Sequence, residues 1–247
     1  MTKFINDLSK EVFENTYEYQ DEGIEGMWNR LAETLDTPYN LLEDFKFVPA
    51  GRICSNAGTH YNGTTMINCF VSGFQAPNAD SMEGIMAELR RQALILKSEG
   101  GYGANFSVLR PCGAYIGGIG TSSPGAVKMM EMWDTQSRVI TEGSGKEVNK
   151  GKKKIRKGAM MGVLEVWHPD IEEFITAKQT PGRLTKFNTS VGVTDAFMKA
   201  VEDNQKWDLI FPDIDVDKGK YNTEWEGDIK KWIAEDGKVK IYKTVKA

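Results

Sequence analysis

The sequence predicts an α/β fold with a mainly parallel sheet, on three observations. Short runs rich in Val, Ile, Phe and Leu recur along the chain, separated by segments whose apolar residues have helical spacing. Strands that alternate with helices of roughly 10–20 residues form βαβ units, in which neighbouring strands run parallel. The 247 residues are 40% hydrophobic and 27% charged, so the chain can bury a sizeable core.

The first 48 residues predict a helical N-terminal region. Its apolar side chains recur at helical spacing in two groups: Phe4, Leu8, Val12 and Phe13, then Met27, Trp28, Leu31, Ala32 and Leu35. Thr37-Pro38 interrupts this pattern. Residues 49–63 are rich in Gly and Asn and predict an irregular connection. We therefore expect a helical region at residues 1–48 and a larger domain at residues 49–247.

Beyond residue 63, the predicted elements alternate between strand and helix. Strands are expected at about residues 68–74, 104–109, 159–166, 189–193 and 208–211, with a strand-like segment at 238–247. Helices are expected from Asp80 or Ser81 to about residue 98, from Ser123-Pro124 to about 141, from His168 to Ala177, and at 195–202. Ser before Pro combines an N-cap with a first-turn proline, which is typical of a helix start.

The net charge of −4 is unevenly distributed. Residues 146–157 contain seven basic side chains and one acidic one, while the rest of the chain carries −10. A short cationic loop on an acidic body favours an anionic small molecule over nucleic acid, which needs an extended basic face. No apolar run approaches the roughly 18–20 residues that cross a bilayer, and the N-terminus lacks a signal-peptide pattern. We expect a cytoplasmic protein that contacts neither membrane nor nucleic acid.

The sequence lacks several common cofactor-binding motifs when it is compared with them residue by residue. Gly118-Ile119-Gly120 lacks the third glycine of the dinucleotide-binding loop, and residues 143–158 contain no phosphate loop of the Walker type. The chain has two His and no Cys pair at metal-ligand spacing, so we expect no metal site. His168 precedes Pro169 at a predicted helix start, which favours a capping role over catalysis.

Among the three cysteines, Cys69 is the best candidate for a reactive thiol. Cys54 and Cys112 lie in predicted irregular segments, and we expect both to be inert. Cys69 lies near the start of a predicted strand, and the glycine-rich run Gly100-Gly101-Tyr102-Gly103 precedes the next one. Because glycine lets the backbone approach a ligand closely, this cluster predicts a surface where a small molecule meets the main chain.

A series of motifs resembles the ribonucleotide reductases, in the order in which that family has them. The motifs are Pro49-Ala50-Gly51-Arg52, Asn56-Ala57-Gly58-Thr59, Asn68-Cys69-Phe70-Val71, Asp80-Ser81-Met82, the stretch 100–116, Arg156-Lys157-Gly158-Ala159-Met160-Met161, His168-Pro169-Asp170-Ile171 and Phe187-Asn188-Thr189-Ser190-Val191. The match runs from about residue 45 to 212 and is most similar to the dimeric, adenosylcobalamin-dependent class II enzymes. It implies the first half of the ten-stranded α/β barrel of the catalytic subunit, with adenosylcobalamin bound mainly outside this chain.

The resemblance implies a catalytic role for the thiol of Cys69. This residue corresponds to the N-terminal member of the cysteine pair that reduces the ribose. Removing a 2′-hydroxyl requires two electrons, which a dithiol supplies when it becomes a disulfide. Asn68, Cys69 and Gly101 correspond to positions that line the substrate nucleotide, and a thioredoxin-like protein is the expected reductant.

A second set of residues resembles a site for a deoxynucleotide effector. The set comprises Asp80, Ser81 and Met82 for the ribose, Arg110 for the phosphates, and Ile116 and Arg156 in two specificity loops at about 111–122 and 143–158. A carboxylate that accepts ribose hydroxyls and a guanidinium that binds phosphate suit these roles chemically. Coupling between the effector and substrate sites implies that each nucleotide strengthens binding of the other.

The resemblance also implies that the chain is one half of a barrel. The family's radical cysteine and second redox cysteine would follow the last residue, so we expect the isolated chain to be inactive and to bind a complementary C-terminal polypeptide. Residues 80–98 and 123–141 are the expected homodimer helices. Two alternatives stay open: the same part of a class I large subunit, whose radical comes from a metal-containing protein, and a non-catalytic nucleotide-binding fragment.

Overall fold

The computed structural model describes residues 4–75, 77, 79–142 and 158–247, and its helices and strands alternate over much of the chain. The α-helices are α1 (Asp7–Thr16), α2 (Gly23–Thr34), α3 (Tyr39–Leu42), α4 (Gly51–Asn56), α5 (Met82–Lys97), α6 (Ala126–Glu142), α7 (Ile171–Thr176), α8 (Asp195–Glu202), α9 (Lys218–Glu224) and α10 (Ile229–Ala234). The strands are β1 (Cys69–Ser72), β2 (Gly101–Asn105), β3 (Tyr115–Ile116), β4 (Thr121–Ser122), β5 (Met160–Glu165), β6 (Phe187–Gly192), β7 (Lys206–Pro212) and β8 (Val239–Lys246).

The described residues divide into two compact units. The first takes its members from residues 1–70, 95–101 and 140–158, and the second from residues 71–94, 102–139 and 159–247. Each unit has a core of its own, around Trp28 in the first and around Phe106 in the second, and both side chains are fully buried. A domain boundary at residue 48 stays a prediction.

The N-terminal helices form where the helical spacing predicts them. The side chain of Asn6 caps α1 by accepting the backbone N–H of Ser9 at 2.8 Å. Trp28 and Leu31 of α2 and Leu42 of α3 are completely buried. Burying a large apolar side chain contributes roughly 1.5–3 kcal/mol, which is enough to hold short helices that would be marginal alone.

The irregular connection predicted for residues 49–63 is wrong at its start, where α4 forms. Arg52, Cys54, Ser55 and Asn56 of this helix are all buried. The side-chain amide of Asn56 donates to the carbonyl of Thr65 at 2.9 Å, so a buried polar group is satisfied by tertiary structure. The local composition predicted a loop because composition carries no information about hydrogen-bond partners elsewhere in the structure.

The main sheet has four strands in the order β1-β2-β5-β6. β2 pairs parallel with β5, and β5 pairs parallel with β6. This confirms the predicted α/β class and the parallel pairing of strands that follow helices. The aromatic rings of Phe106, Trp133 and Phe187 pack beside it, with centroids 5.1 Å apart for the first pair and 5.7 Å for Phe106 and Phe187.

The second strand of the sheet is displaced from its predicted position. The expected range was about 104–109, but β2 begins at Gly101 and ends at Asn105. The backbone N–H of Tyr102 donates to the carbonyl of Ala159, so the glycine-rich segment itself pairs in the sheet. Beyond β2 the chain turns, and the N–H of Leu109 donates to the carbonyl of Phe106 at 3.0 Å. The low strand propensity of glycine therefore misled the prediction.

The longest described helices, α5 and α6, cover the predicted dimer segments 80–98 and 123–141 with small shifts at their ends. They pack against each other through polar groups: the amide of Gln92 donates to the carbonyl of Trp133 at 3.0 Å, and that of Gln136 to the carbonyl of Leu89 at 2.7 Å. Over the described part of the chain, no helix combines the length and apolar character needed to span a membrane.

The C-terminal part adds a separate two-stranded sheet. β7 and β8 pair antiparallel, with an irregularity between Leu209 and Ile210. The strand-like pattern at 238–247 is therefore confirmed as β8, and the strand predicted at 208–211 is longer. Between them lie α9 and α10, which the sequence did not predict. Their aromatic residues Tyr221, Trp225 and Trp232 are buried, so packing holds these short helices in place.

Candidate functional site

The predicted thiol and substrate residues lie together at the amino ends of β1 and β2. Cys69 is the first residue of β1, and both it and Asn68 are exposed to solvent. The backbone N–H of Gly101, the first residue of β2, donates to the carbonyl of Asn68 at 2.8 Å. The structure thus brings Asn68, Cys69 and Gly101 to one place, which we call the thiol edge.

The glycine before this edge is required by close packing. A Cβ on Gly100 would lie 2.8 Å from a ring carbon of Phe70 and 3.0 Å from the side chain of Ile95. Phe70 follows Cys69 in the chain, so a side chain at position 100 would displace the residue next to the thiol. The glycine cluster therefore has a packing role here.

A buried ion pair supports the thiol edge and was not predicted. Arg52 Nη1 lies 3.1 Å from Glu99 Oε2, and the two side chains are only 7% and 9% exposed. The backbone N–H of Arg52 also donates to Asn68 Oδ1 at 3.3 Å. Arg52 belongs to the motif Pro49-Ala50-Gly51-Arg52, and Glu99 precedes the glycine cluster. The opposite charges of Arg52 and Glu99, one inside a motif of the site and the other next to one, were the sequence signal that could have indicated this contact.

The second predicted set is arranged around the carboxylate of Asp80, which is 5% exposed. Asp80 Oδ2 accepts from Arg110 Nε at 2.5 Å and from the hydroxyl of Tyr221 at 2.6 Å. Asp80 Oδ1 accepts the backbone N–H of Arg110 at 3.1 Å. We call Asp80, Arg110 and Tyr221 the carboxylate cluster. Tyr221 was missed because it lies 141 positions from Asp80 in the chain, where no local pattern connects them.

Burial governs the ionisation of this cluster. It raises the pKa of the Asp80 carboxyl above its ordinary value, against the opposing effects of the Arg110 charge and of the hydrogen bonds from Tyr221 and Arg110. Burial, together with the negative charge of Asp80, raises the pKa of the Tyr221 phenol well above its ordinary value. Tyr221 is therefore protonated at neutral pH and acts as a hydrogen-bond donor.

The other predicted effector residues have separate surroundings. Ser81 Oγ accepts the backbone N–H of Gly84 at 3.0 Å, which is the geometry of an N-cap for α5. Met82 is 57% exposed at the first turn of that helix. Ile116 lies in β3, opposite Thr121 of β4, within the predicted first specificity loop. Arg156 lies outside the described residues.

His168 and Asp170 hold the segment that carries Arg110. The imidazole of His168 is completely buried; its Nδ1 accepts the N–H of Asp170 at 3.0 Å, and its Nε2 donates to the carbonyl of Leu109 at 2.9 Å. The Asp170 carboxylate accepts backbone N–H groups of Cys112 and Ala126, at 3.0 and 2.8 Å. This confirms a structural role for His168, and burial lowers its pKa.

The sequence of this chain matches that of a known protein family over most of its length. The family described as "Ribonucleotide reductase, barrel domain" matches residues 67–247. This chain belongs to that family.

Individual members of the reductase family are similar over most of this chain. A vitamin B12-dependent ribonucleoside-diphosphate reductase of Mycobacterium tuberculosis is 37% identical over 194 residues, which cover 78% of this chain and 25% of the relative. The ribonucleoside-diphosphate reductase large subunit of Variola virus is 35% identical over 179 residues, covering 71% of this chain and 21% of the relative. The chain thus spans about a quarter of the length of these relatives.

A solved structure shares the fold of this reductase chain. The Actinobacillus ureae class Id ribonucleotide reductase alpha subunit superposes with a TM-score of 0.59 at 21% identity, covering 81% of this chain and 36% of that subunit. At this identity the likeness concerns the fold. It supports the predicted first half of the α/β barrel.

The described residues do not provide a fitting set for cobalamin. His168 uses both ring nitrogens inside the fold. The ring of His60 packs on Tyr61, with centroids 4.3 Å apart, and its Nδ1 lies 2.6 Å from the hydroxyl of Tyr19. Neither imidazole is placed as a cobalt ligand.

Proposed function

We propose that this chain is the N-terminal part of a ribonucleotide reductase catalytic subunit and contributes one redox cysteine to nucleotide reduction. The observation that carries the proposal is the exposed thiol of Cys69 beside the hydrogen-bonded pair of Asn68 and Gly101, in a member of the reductase barrel family. A solvent-accessible thiol can meet both a substrate and an external reductant. Cys54, by contrast, is buried and donates to the carbonyl of Pro49 at 3.3 Å.

The chemistry at Cys69 is a two-electron transfer. The C2′–O bond of the ribose breaks, the oxygen leaves as water, and a C2′–H bond forms. The two electrons come from the thiol of Cys69 and from a second thiol on the complementary C-terminal polypeptide, which together become a disulfide. A thioredoxin-like dithiol then restores both thiols. The names of the relatives support a ribonucleoside diphosphate as substrate and, for the mycobacterial one, cobalamin as the radical source.

We assign the carboxylate cluster to a deoxynucleotide effector, which makes the enzyme allosteric. The guanidinium of Arg110 is 19% exposed, so it can present donors to phosphate. Asp80 is the nearby acceptor for ribose hydroxyls. Deoxynucleotides for DNA replication would be the product of the complete enzyme, and its cytoplasmic location stays a prediction of the sequence.

The helices α5 and α6 are the proposed homodimer surface. Met82, Met86 and Leu94 of α5 are 57%, 43% and 50% exposed, while Val139 of α6 is 71% exposed. Several large exposed apolar side chains on two helices are typical of a surface that another chain covers. The open edges of β1 and β6 would receive the complementary C-terminal polypeptide.

The test is a reductase assay on this chain combined with the complementary C-terminal polypeptide, using a ribonucleoside diphosphate, adenosylcobalamin and a thioredoxin-like reductant. Deoxynucleotide should form at background level with Cys69→Ser. Cys112→Ser is the matched control, because Cys112 is also exposed but contacts its neighbours through its backbone N–H. Equal activity of both variants would reject the proposed role of Cys69.

The same assay separates the alternatives. Activity that needs a metal-radical partner protein and no adenosylcobalamin would identify the chain as part of a class I large subunit. Nucleotide binding with no activity in any combination would identify a regulatory fragment. Deoxynucleotide formed by the isolated chain would contradict the requirement for a complementary polypeptide.

A further inference from the structure

The hydroxyl of Tyr221 occupies the acceptor that an effector would need. Tyr221 lies on α9 and donates to Asp80 Oδ2 at 2.6 Å, the same oxygen that accepts from Arg110 Nε. The other oxygen, Oδ1, accepts the backbone N–H of Arg110. A carboxylate that is 5% exposed and already accepts three hydrogen bonds has little capacity for a ribose hydroxyl.

The two side chains on Asp80 Oδ2 differ in how easily they can leave. Arg110 is 19% exposed. Its terminal nitrogens lie 3.3 Å from the carbonyl of Tyr115 and 3.4 Å from that of Asp80, and its guanidinium carbon lies 5.8 Å from the centroid of the Tyr221 ring. Tyr221 is 4% exposed, and its ring packs against Phe211 and Trp225 with centroids 6.1 and 6.2 Å away. The guanidinium can turn toward phosphate, whereas the packed phenol has to be displaced from the carboxylate before a ribose hydroxyl can bind there.

We propose that Tyr221 is a positioning residue that limits effector affinity by competing for the Asp80 carboxylate. This inference rests on the proposed effector role of Asp80 and Arg110. It adds a residue from a part of the chain that none of the family motifs includes, and it links the segment between β7 and β8 to nucleotide binding. The raised pKa of Tyr221 keeps its proton in place, so the competition persists across the neutral pH range.

The test is calorimetric titration of the full chain with dATP or dTTP, comparing the wild type with Tyr221→Phe. The variant keeps the packed ring and removes only the oxygen. We expect its dissociation constant to fall roughly threefold to tenfold, because a hydrogen bond to a charged group no longer has to be displaced. Its melting temperature should fall at the same time. A merely structural role would lower stability without strengthening nucleotide binding.

Two further variants make the result unambiguous. Tyr39→Phe removes the same oxygen in the first compact unit and should leave the nucleotide affinity unchanged. Arg110→Ala should abolish binding. If the wild type binds and Tyr221→Phe binds equally or more weakly, the competition is overturned while the effector site stands. If the wild type does not bind, or Arg110→Ala binds as the wild type does, the effector site itself is rejected and this inference with it.

Discussion

The thiol edge and the carboxylate cluster differ in whether the charged residues that stabilise the fold are also the residues proposed to act on a ligand. At the thiol edge, the reactive group of Cys69 is exposed, and the buried charges of Arg52 and Glu99 belong to neighbouring residues. In the carboxylate cluster, the groups proposed to bind a ligand, the buried Asp80 and the half-buried Arg110, themselves form the ion pair. At the thiol edge, a mutation can therefore remove the stabilising ion pair without removing the thiol. In the carboxylate cluster, the same mutation would remove both the ion pair and the proposed ligand contacts. Mutations can test this difference.

The largest expected effect follows from breaking the support of the thiol edge. Arg52→Met leaves the Glu99 carboxylate buried without its guanidinium, and we expect the free energy of unfolding to fall by about 3–5 kcal/mol. Urea denaturation measures this loss, and the double variant Arg52→Met/Glu99→Met should recover part of it. Alkylation of Cys69 in the folded fraction should keep its rate. A large change in that rate would show that support and reactivity are coupled here too.

The packing behind the thiol edge gives the next effect. Gly100→Ala places a Cβ against the ring of Phe70, and overpacking of this kind costs about 1–3 kcal/mol. The matched control is Gly63→Ala, in the same compact unit, where a Cβ would meet nothing within 4 Å. Urea denaturation of both variants should separate them clearly. Equal stability would mean that the ring moves aside and that the close approach has no energetic weight.

His168 supplies a pH-dependent test of the segment behind the carboxylate cluster. Burial lowers its pKa in the folded state, so below its ordinary value of about 6.5 the unfolded chain binds a proton that the folded chain does not. Stability should therefore fall as the pH drops from 7.5 to 5.5, by at most about 1.4 kcal/mol per pH unit from this group. His168→Gln should reduce that slope, and a slope equal to that of the wild type would contradict this contribution of His168.

The smallest effect concerns Ser81, whose hydroxyl caps α5. Ser81→Ala should lower the free energy of unfolding by about 1 kcal/mol, and Ser81→Gly by only a few tenths. Thermal unfolding of the two variants measures the difference. If both variants lost nucleotide binding while their stability stayed unchanged, the hydroxyl would be a ligand contact, and the cap would be incidental.

The sequence predicted those features that depend on neighbouring residues. The apolar spacing along α5 and the strand β5 are local patterns, and the structure has them close to where they were expected, whereas the N-cap of α7 is Asp170 and not His168. The substrate-lining roles of Asn68, Cys69 and Gly101 stay predictions of the family resemblance. The helix α4, the ion pair of Arg52 with Glu99 and the bond from Tyr221 to Asp80 were missed, because each depends on a partner distant in the chain.

The parallel pairing of β2 with β5 has a consequence for how this part of the chain can vary. Tyr102 faces Met160 across the pair, with all of α6 in the connection between the strands. The entropy of closing a connection grows only with the logarithm of its length, so doubling that length costs only about 0.6 kcal/mol. The register of β2 and β5 is therefore determined by the packing of the strands themselves and not by the length of the chain between them.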